Sequence, residues 1–266
     1  MGVKVLVLVL SVDREPWRSI ERDGQRATWA APSAFDDAAP VRFYRGKLAG
    51  AVRFLIAAIT RVLTLVGSDR PGSPAETVRS RFISLAGRRY HKSGSVTFDD
   101  VIVTDVPETY AMVTTKLFAT LTHVLATETF DYLFRTNTST YVDRQRLIEF
   151  AEDLPRSRYW GGFTGISEGI TFTSGAGTLM SRDCVADAVT AEWDWDLVDD
   201  VALSRVLTSL GIEAQPLTRP VLELVESVES ATTAELGAFM WRCQGIQERN
   251  DVQIMRALHG TLEANR

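Results

Sequence analysis

In the stretch DYLFRTNTSTYVD an apolar run ends at Arg135, and five small polar residues follow: Thr136, Asn137, Thr138, Ser139 and Thr140. The end of such a strand is where many nucleotide-dependent enzymes hold a divalent cation between carboxylates. Here the turn is uncharged. Mg²⁺ and Mn²⁺ want charged oxygen ligands, so Asn and Ser oxygens would bind them far more weakly. A literal Asp-x-Asp exists further on, at Asp194 and Asp196 of WDWD, and reads as an acidic loop flanked by packing aromatics. The adjacent Asp199 and Asp200 open the helical pattern VDDVALSRVL, where a carboxylate caps the helix and favours its dipole. Arginines are always protonated and bind phosphate oxygens in a bidentate way. Candidates are Arg14 and Arg18 after the first apolar run, and Arg242, Arg249 and Arg256 in the tail FMWRCQGIQERNDVQIMRALHG. No Gly-rich phosphate loop, nucleophile elbow or zinc-protease motif is present. Cys184 and Cys243, and His91, His123 and His259, are scattered without metal-ligand spacing.

The elements that must position these residues alternate. Strand-like runs at Val3 to Val12, Val41 to Tyr44, Val101 to Asp105, Tyr132 to Arg135, Tyr159 to Phe163 and Gly177 to Met180 are mostly separated by helical patterns. The latter cover Ser19 to Ala30, Tyr110 to Glu128, Arg144 to Asp153, Arg182 to Ala191 and Asp199 to Leu210. This order predicts an α/β fold: one domain over 1–266, with a mostly parallel sheet covered on both faces and ligands at the carboxyl ends of its strands. Three turns then face a ligand: SVDREPW, RTNTST and WGGFTGISEGITFTSGAG. The region 47–96 stands apart. Its first part, Leu48 to Val66, has helical spacing and carries Arg53 and Arg61 in an apolar run. It reads first as a packed or oligomer-forming helix and second as a membrane-surface helix, and two arginines make it a poor transmembrane span. The following Gly67 to Val96 is turn-rich and basic and reads as a surface loop or short insertion with some mobility.

Composition sets the frame. With 266 residues, 45% hydrophobic and 24% charged, the chain can build a full core. A net charge of -5 and a pI near 5.4 argue against a general nucleic-acid binder. The apolar start VKVLVLVL is too short for a signal h-region with its flanks, so a cytoplasmic location is the expectation.

Taken together and in order, the segments RATWA, ETYAMVTTK, RTNTSTYVD, TSGAGTLMSRD and DDVALSRVLTSLGI resemble the beta-1,3-galactosyltransferase and Fringe-like glycosyltransferases. That family has the GT-A fold. The resemblance is collinear from about residue 3 to 213, excluding 47–96. RATWA is similar to the family's Arg-x-Thr-Trp segment, and Glu108, Tyr110, Thr114 and Lys116 fall in its Asp-x-Tyr-x-Asn-Leu-Thr-x-Lys segment. Asn137, Thr138 and Ser139 stand where the family has three metal-binding aspartates.

The resemblance implies an inverting transfer of a sugar from a nucleotide donor, a UDP-sugar, to a hydroxyl acceptor. The departure at Asn137 to Ser139 implies that no divalent metal or other cofactor takes part. Asp200 falls on the family's general base and Asp199 on the Glu beside it. The donor is expected to meet Ser11, Asp13, Arg14 and Arg26 on the nucleoside side, Asn137 and Ser139 at ribose or phosphate, and Gly175 and Gly177 at the sugar. Gly161 and Gly162 are further glycines for close approach, and Trp160 and Phe163 are sugar-stacking or core residues. Without a metal, charge on the leaving diphosphate must be met by protein cations, with Arg242 and Arg249 first and Arg256 as a helix-surface residue. The acceptor, whether glycan, lipid-linked or protein, stays open. A degenerate nucleotide- or glycan-binding protein without turnover is the alternative, and a hydrolase or nucleotidyltransferase on a similar sheet comes last.

Overall fold

The computed structural model describes residues 2–47, 50–67, 73–167, 169–245 and 249–265. In chain order, β1 (Val5–Leu10) leads through a short α1 (Trp17–Ser19) and a π-helical stretch, Ile20–Gln25, into β2 (Val41–Lys47). Two helices follow, α2 (Ala51–Leu65) and α3 (Pro74–Tyr90), then β3 (Ser95–Phe98), β4 (Val101–Pro107), α4 (Val113–Thr127), β5 (Tyr132–Asn137), β6 (Thr140–Val142) and α5 (Arg144–Glu152). The second half runs β7 (Trp160–Ser167), β8 (Ile170–Ser181), α6 (Arg182–Thr190), α7 (Asp199–Ser209), β9 (Gln215–Pro216) and β10 (Val221–Leu222). It closes with α8 (Val225–Glu229), α9 (Thr233–Leu236), β11 (Met240–Cys243) and α10 (Asp251–Ala264).

Among the described residues these strands make a large sheet in the order β3-β4-β2-β1-β5-β8-β7-β9 and a small one in the order β10-β11-β6. At the centre of the large sheet β4, β2, β1 and β5 are parallel, and β8 lies antiparallel to β5. The fold is therefore α/β with a mostly parallel central sheet flanked by helices, as the alternating pattern predicts.

Strand β1 shows why. Its side chains alternate between two dry faces: Val5, Val7 and Val9 pack with Phe134, Trp241 and Ile254, while Leu6 and Leu8 pack with Leu133, Leu117 and Leu203. A strand buried on both faces has no polar positions, which is the reason VLVLVL reads as continuous apolar sequence. Apart from Ser19 to Ala30, the predicted strands and helices have observed counterparts with shifted ends, the largest shift at β8, which begins seven residues before the predicted Gly177. At Ser19 to Ala30, however, helix gives way to a π-turn and then to turns.

The region 67–96 departs from its reading as a loop. It holds the 17-residue helix α3, whose first turn is capped by the Ser73 side chain accepting from the Glu76 amide, with Pro74 in the first helical position. The turn-rich residues just before the cap obscure that start signal, and 68–72 fall outside the described residues, as do Leu48 and Ala49 at the start of the preceding segment. No helix among the described residues is long and apolar enough to cross a membrane.

Phe134 is fully buried in the central strand, against Phe239 and beside Gly177. Phe134→Ala is expected to lower unfolding free energy by about 3–5 kcal/mol, read as a fall in the urea midpoint at unchanged slope.

Candidate active site

At the carboxyl ends of β1 and β5 lies a cavity of about 1070 Å³. Its floor is built around one buried cation. Arg135, near the end of β5, donates from Nη2 to Asp199 Oδ2 and from Nε to the Tyr44 hydroxyl at 3.3 Å. Burial works against the guanidinium's charge, but the Asp199 carboxylate and Tyr44 more than offset it and hold Arg135 above its ordinary value. Burial also raises the Asp199 carboxyl, against the pull of Arg135, and pushes the Tyr44 phenol up to about 12. A Cβ on Gly175 would lie 1.5 Å from Arg135 Nη1, so position 175 has no room for a side chain while that guanidinium is in place.

Asp200, the next residue of α7, turns the other way. Its Oδ2 accepts from the Gly175 amide and its Oδ1 from the Val201 amide, both at 3.0 Å, and it is half-buried at the cavity wall. One backbone bond per oxygen leaves acceptor capacity on each. Asp199 and Asp200 thus divide their work. The first is consumed in the floor and the second meets the cavity.

The segment ETYAMVTTK supplies the adjacent wall. Lys116 Nζ donates to Glu108 Oε1, and Glu108 Oε2 accepts from the Gly46 amide, so this lysine and acid neutralise each other at the end of β2. Thr114 Oγ1 donates to the Leu197 carbonyl and so fixes the approach to α7. Tyr110 stands 76% exposed on the cavity lip. Burial of one side, then Asp199 and Asp200, raise its phenol.

The opposite wall is basic. Strand β11 pairs antiparallel with β6, with Arg242 opposite Thr140 and the Cys243 amide donating to the Ser139 carbonyl at 2.8 Å. On its other side β10 runs parallel, with Val221 opposite Arg242 and the Arg242 amide donating to the Pro220 carbonyl at 2.9 Å. The small sheet therefore fastens the 219–222 and 240–243 segments to the turn after β5, and Arg219 and Arg242 both reach the cavity. Arg249 joins them, its Nη1 3.5 Å from Ser139 Oγ and 3.7 Å from the buried Asp251 carboxylate. Arg219 donates to Ser174 Oγ at 3.0 Å and lies over the Phe163 ring, while Arg242 donates to the neutral Gln244 side chain. Burial and then Arg242 bring the Arg219 guanidinium down to about 10, and burial and then Arg249 lower that of Arg242. Arg242 thus repels both Arg219 and Arg249, and the buried Asp251 carboxylate offsets part of that charge at Arg242 and Arg249.

Asn137 Oδ1 accepts from the Ser139 amide and the Thr140 hydroxyl, and among the described residues no group of three or more His, Cys, Asp or Glu is placed to hold a metal ion. Asp194 and Asp196 are directed elsewhere, Asp194 to Arg205 at 2.8 Å and Asp196 to Ser80 and Ser84 of α3.

Of the residues singled out in the sequence, Arg14, Asn137, Ser139, Gly175, Asp199, Asp200, Arg242 and Arg249 line the cavity. Ser11, Asp13, Arg26 and Gly177 do not. Beyond β1 the side chains still alternate, so Leu10 and Val12 face the cavity while Ser11 donates to Glu21 and Asp13 pairs with Arg18 at 2.6 Å. Arg26 is held over the Phe43 ring between Glu21 and Asp100. Gly177 is small because a Cβ there would meet Met240 Sδ at 2.4 Å, a packing constraint between β8 and β11. Arg256 lies outside the cavity and donates to the Asp23 carbonyl on the surface. Arg219 was not singled out. Its signal, an arginine between prolines in PLTRPV, carries no periodicity that would place it beside Arg242.

No protein-family model matches the chain, and no curated protein sequence matches it. Among solved structures it is similar to the apo form of mouse xyloside xylosyltransferase 1, at 8% identity and a TM-score of 0.39, over 91% of this chain and 97% of that one. A likeness so distant carries no argument about activity.

The floor predicts a particular pattern of stability. Arg135→Met leaves Asp199 buried without its partner and is expected to cost about 3–5 kcal/mol in urea unfolding. The pair Arg135→Met with Asp199→Leu removes both charges and is expected to recover most of that loss, giving a large coupling energy in the double-mutant cycle.

Proposed function

We propose that the protein is a glycosyltransferase of GT-A type that transfers a sugar from a nucleoside-diphosphate donor to a hydroxyl acceptor with inversion, using arginines where related enzymes use a divalent cation. The observation that carries this reading is that Arg219, Arg242 and Arg249 line one cavity with the turn Asn137 to Ser139, where Arg242 repels both of the other two. A diphosphate seated there relieves the mutual repulsion of the cations. Charge that grows on the leaving phosphate then meets preorganised donors in a site partly shielded from water. The Arg14 guanidinium, 5.4 Å from the centre of the Trp17 ring, adds a cation and an aromatic face on the β1 side of the same cavity, the side this reading gives to the nucleoside.

In this reading the reaction is a single displacement. Asp200 accepts the proton of the acceptor hydroxyl as that oxygen bonds to the anomeric carbon, and the bond to the diphosphate breaks on the opposite side. The support for Asp200 over Asp199 is geometric. Asp200 keeps acceptor capacity toward the cavity while Asp199 is locked to Arg135. The Gly175 amide and the Val201 amide hold the Asp200 carboxylate in place and leave it no need of a cationic partner. Tyr110 offers an exposed ring at the lip for a sugar face.

Asp200→Asn keeps the size and one of the two backbone contacts, since its amide nitrogen cannot accept, and removes the base. It is expected to lower turnover about 100- to 10,000-fold while donor affinity stays within about threefold. The checks are steady-state transfer assays and donor titration by calorimetry. Unchanged turnover in the variant would reject the assigned base, and a parent protein that binds UDP but turns over no nucleotide sugar would support the alternative of a non-catalytic nucleotide-binding protein.

A further inference from the structure

Helix α2 serves two environments at once. Arg53, Ala57, Thr60, Arg61 and Thr64 line the cavity, and Ile56 is buried with Val106, Met112 and Ala119. The third side of the helix holds Ala51, Leu55, Ala58, Val62, Leu65 and Val66, all exposed and all apolar, with Leu55 58%, Val62 57% and Leu65 79% exposed, and Phe54 stands at its border with the cavity. A helix side that faces water is expected to be polar. This one has no charged or hydrogen-bonding side chain over four turns.

The charge around it is equally one-sided. Residues 50–92 hold eight Lys and Arg against two Asp and Glu, a net +6, which leaves 21 basic and 32 acidic residues elsewhere, a net -11. On α3, which packs beside α2, the exposed positions include Val78, Arg81, Leu85, Arg88 and Arg89, again apolar and basic. Arg88 has a carboxylate only at 3.8 Å, from the largely exposed Glu192. An acidic protein thus carries a net basic segment around an exposed apolar helix face.

We propose that α2 and α3 form a docking surface for an anionic lipid bilayer. The apolar side of α2 enters the boundary between headgroups and acyl chains, and the arginines of both helices meet the anionic headgroups. The same charge disfavours a second copy of this chain as the occupant, because a two-fold contact through this face sets +6 against +6. The next side of α2 is a wall of the cavity, so docking brings the cavity mouth to the lipid surface. If the site transfers sugar as proposed above, its acceptor is a hydroxyl carried on an amphiphile held in that surface, and Arg53 and Arg61 meet anionic groups on it. The docking itself stands apart from that reading.

Co-sedimentation of the full chain with vesicles tests it, using phosphatidylcholine alone and phosphatidylcholine mixed with phosphatidylglycerol, at low and high salt. Binding is expected to the mixed vesicles and to weaken with salt. Leu55→Gln, Val62→Gln and Leu65→Gln together, at exposed positions and with a good helix former, are expected to weaken it at least about 100-fold. Arg81→Gln with Arg89→Gln is expected to weaken it about 25-fold on anionic vesicles only. Circular dichroism and UDP titration should be unchanged in both variants, which separates lost docking from lost folding. No binding to either vesicle, or equal binding to both, would overturn the proposal. So would self-association in the absence of lipid that the triple variant abolishes, since that result assigns the face to a second copy. No sugar donor is present in the assay, so a negative result leaves the transfer reading intact, and a failure of transfer leaves the vesicle result intact.

Discussion

A guanidinium buried at the end of a central strand must find a carboxylate or destabilise the fold by several kcal/mol. Arg135 finds Asp199, and the rest of the site follows from that contact. The pair ties β5 to the first turn of α7, draws in the Tyr44 hydroxyl of β2, and excludes any side chain at position 175 of β8. With α7 fixed by its first residue, its second residue has one place to go. Asp200 lies against the Gly175 amide and faces the cavity. The buried charge contributes geometry more than net stability, because desolvating both partners consumes much of their attraction.

The second constraint is also one of charge. A site for a diphosphate needs positive charge, supplied by a metal held between carboxylates or by the protein itself. The turn after β5 carries neutral oxygens, and Asn137 uses its own to shape the backbone at Ser139. The small sheet β10-β11-β6 then has a clear use. It pins two segments from late in the chain beside that turn, so that Arg219 and Arg242 line the same cavity, while Arg249, just before α10, reaches Ser139. Burial first, and then a neighbouring guanidinium, depress the basicity of Arg219 and Arg242. In the proposed reading an anion offsets that repulsion, and binding and electrostatic stabilisation come from the same residues.

Local features of the site were legible in the sequence because local rules generate them. The double-sided apolar β1, the helix start at Asp199 and Asp200, and the uncharged turn at Asn137 to Ser139 each follow from patterns a few residues long. The alternation that turns Ser11 and Asp13 away from the cavity was present in the same strand, and extending the period by two residues would have found it. Helix α3 was hidden by the glycines and prolines ahead of its Ser73 cap. Arg219 and the company it keeps were not legible, since they depend on strand pairing between segments far apart in the chain, which no local periodicity encodes. Gly177 was misread for a related reason. A glycine that admits a ligand and one that admits Met240 look alike until the packing is known.

The central claim is that arginines take the place of a metal. Calorimetric titration of UDP in excess chelator, against the parent chain and the Arg219→Gln and Arg242→Gln variants, tests it most directly. The account predicts that the parent binds UDP equally with chelator and with added Mn²⁺. It also predicts that each variant loses about 10- to 100-fold in affinity, the worth of a charge-assisted hydrogen bond, while affinity for uridine itself is unchanged. UDP binding that requires Mn²⁺, or variants that bind UDP as the parent does, would contradict it.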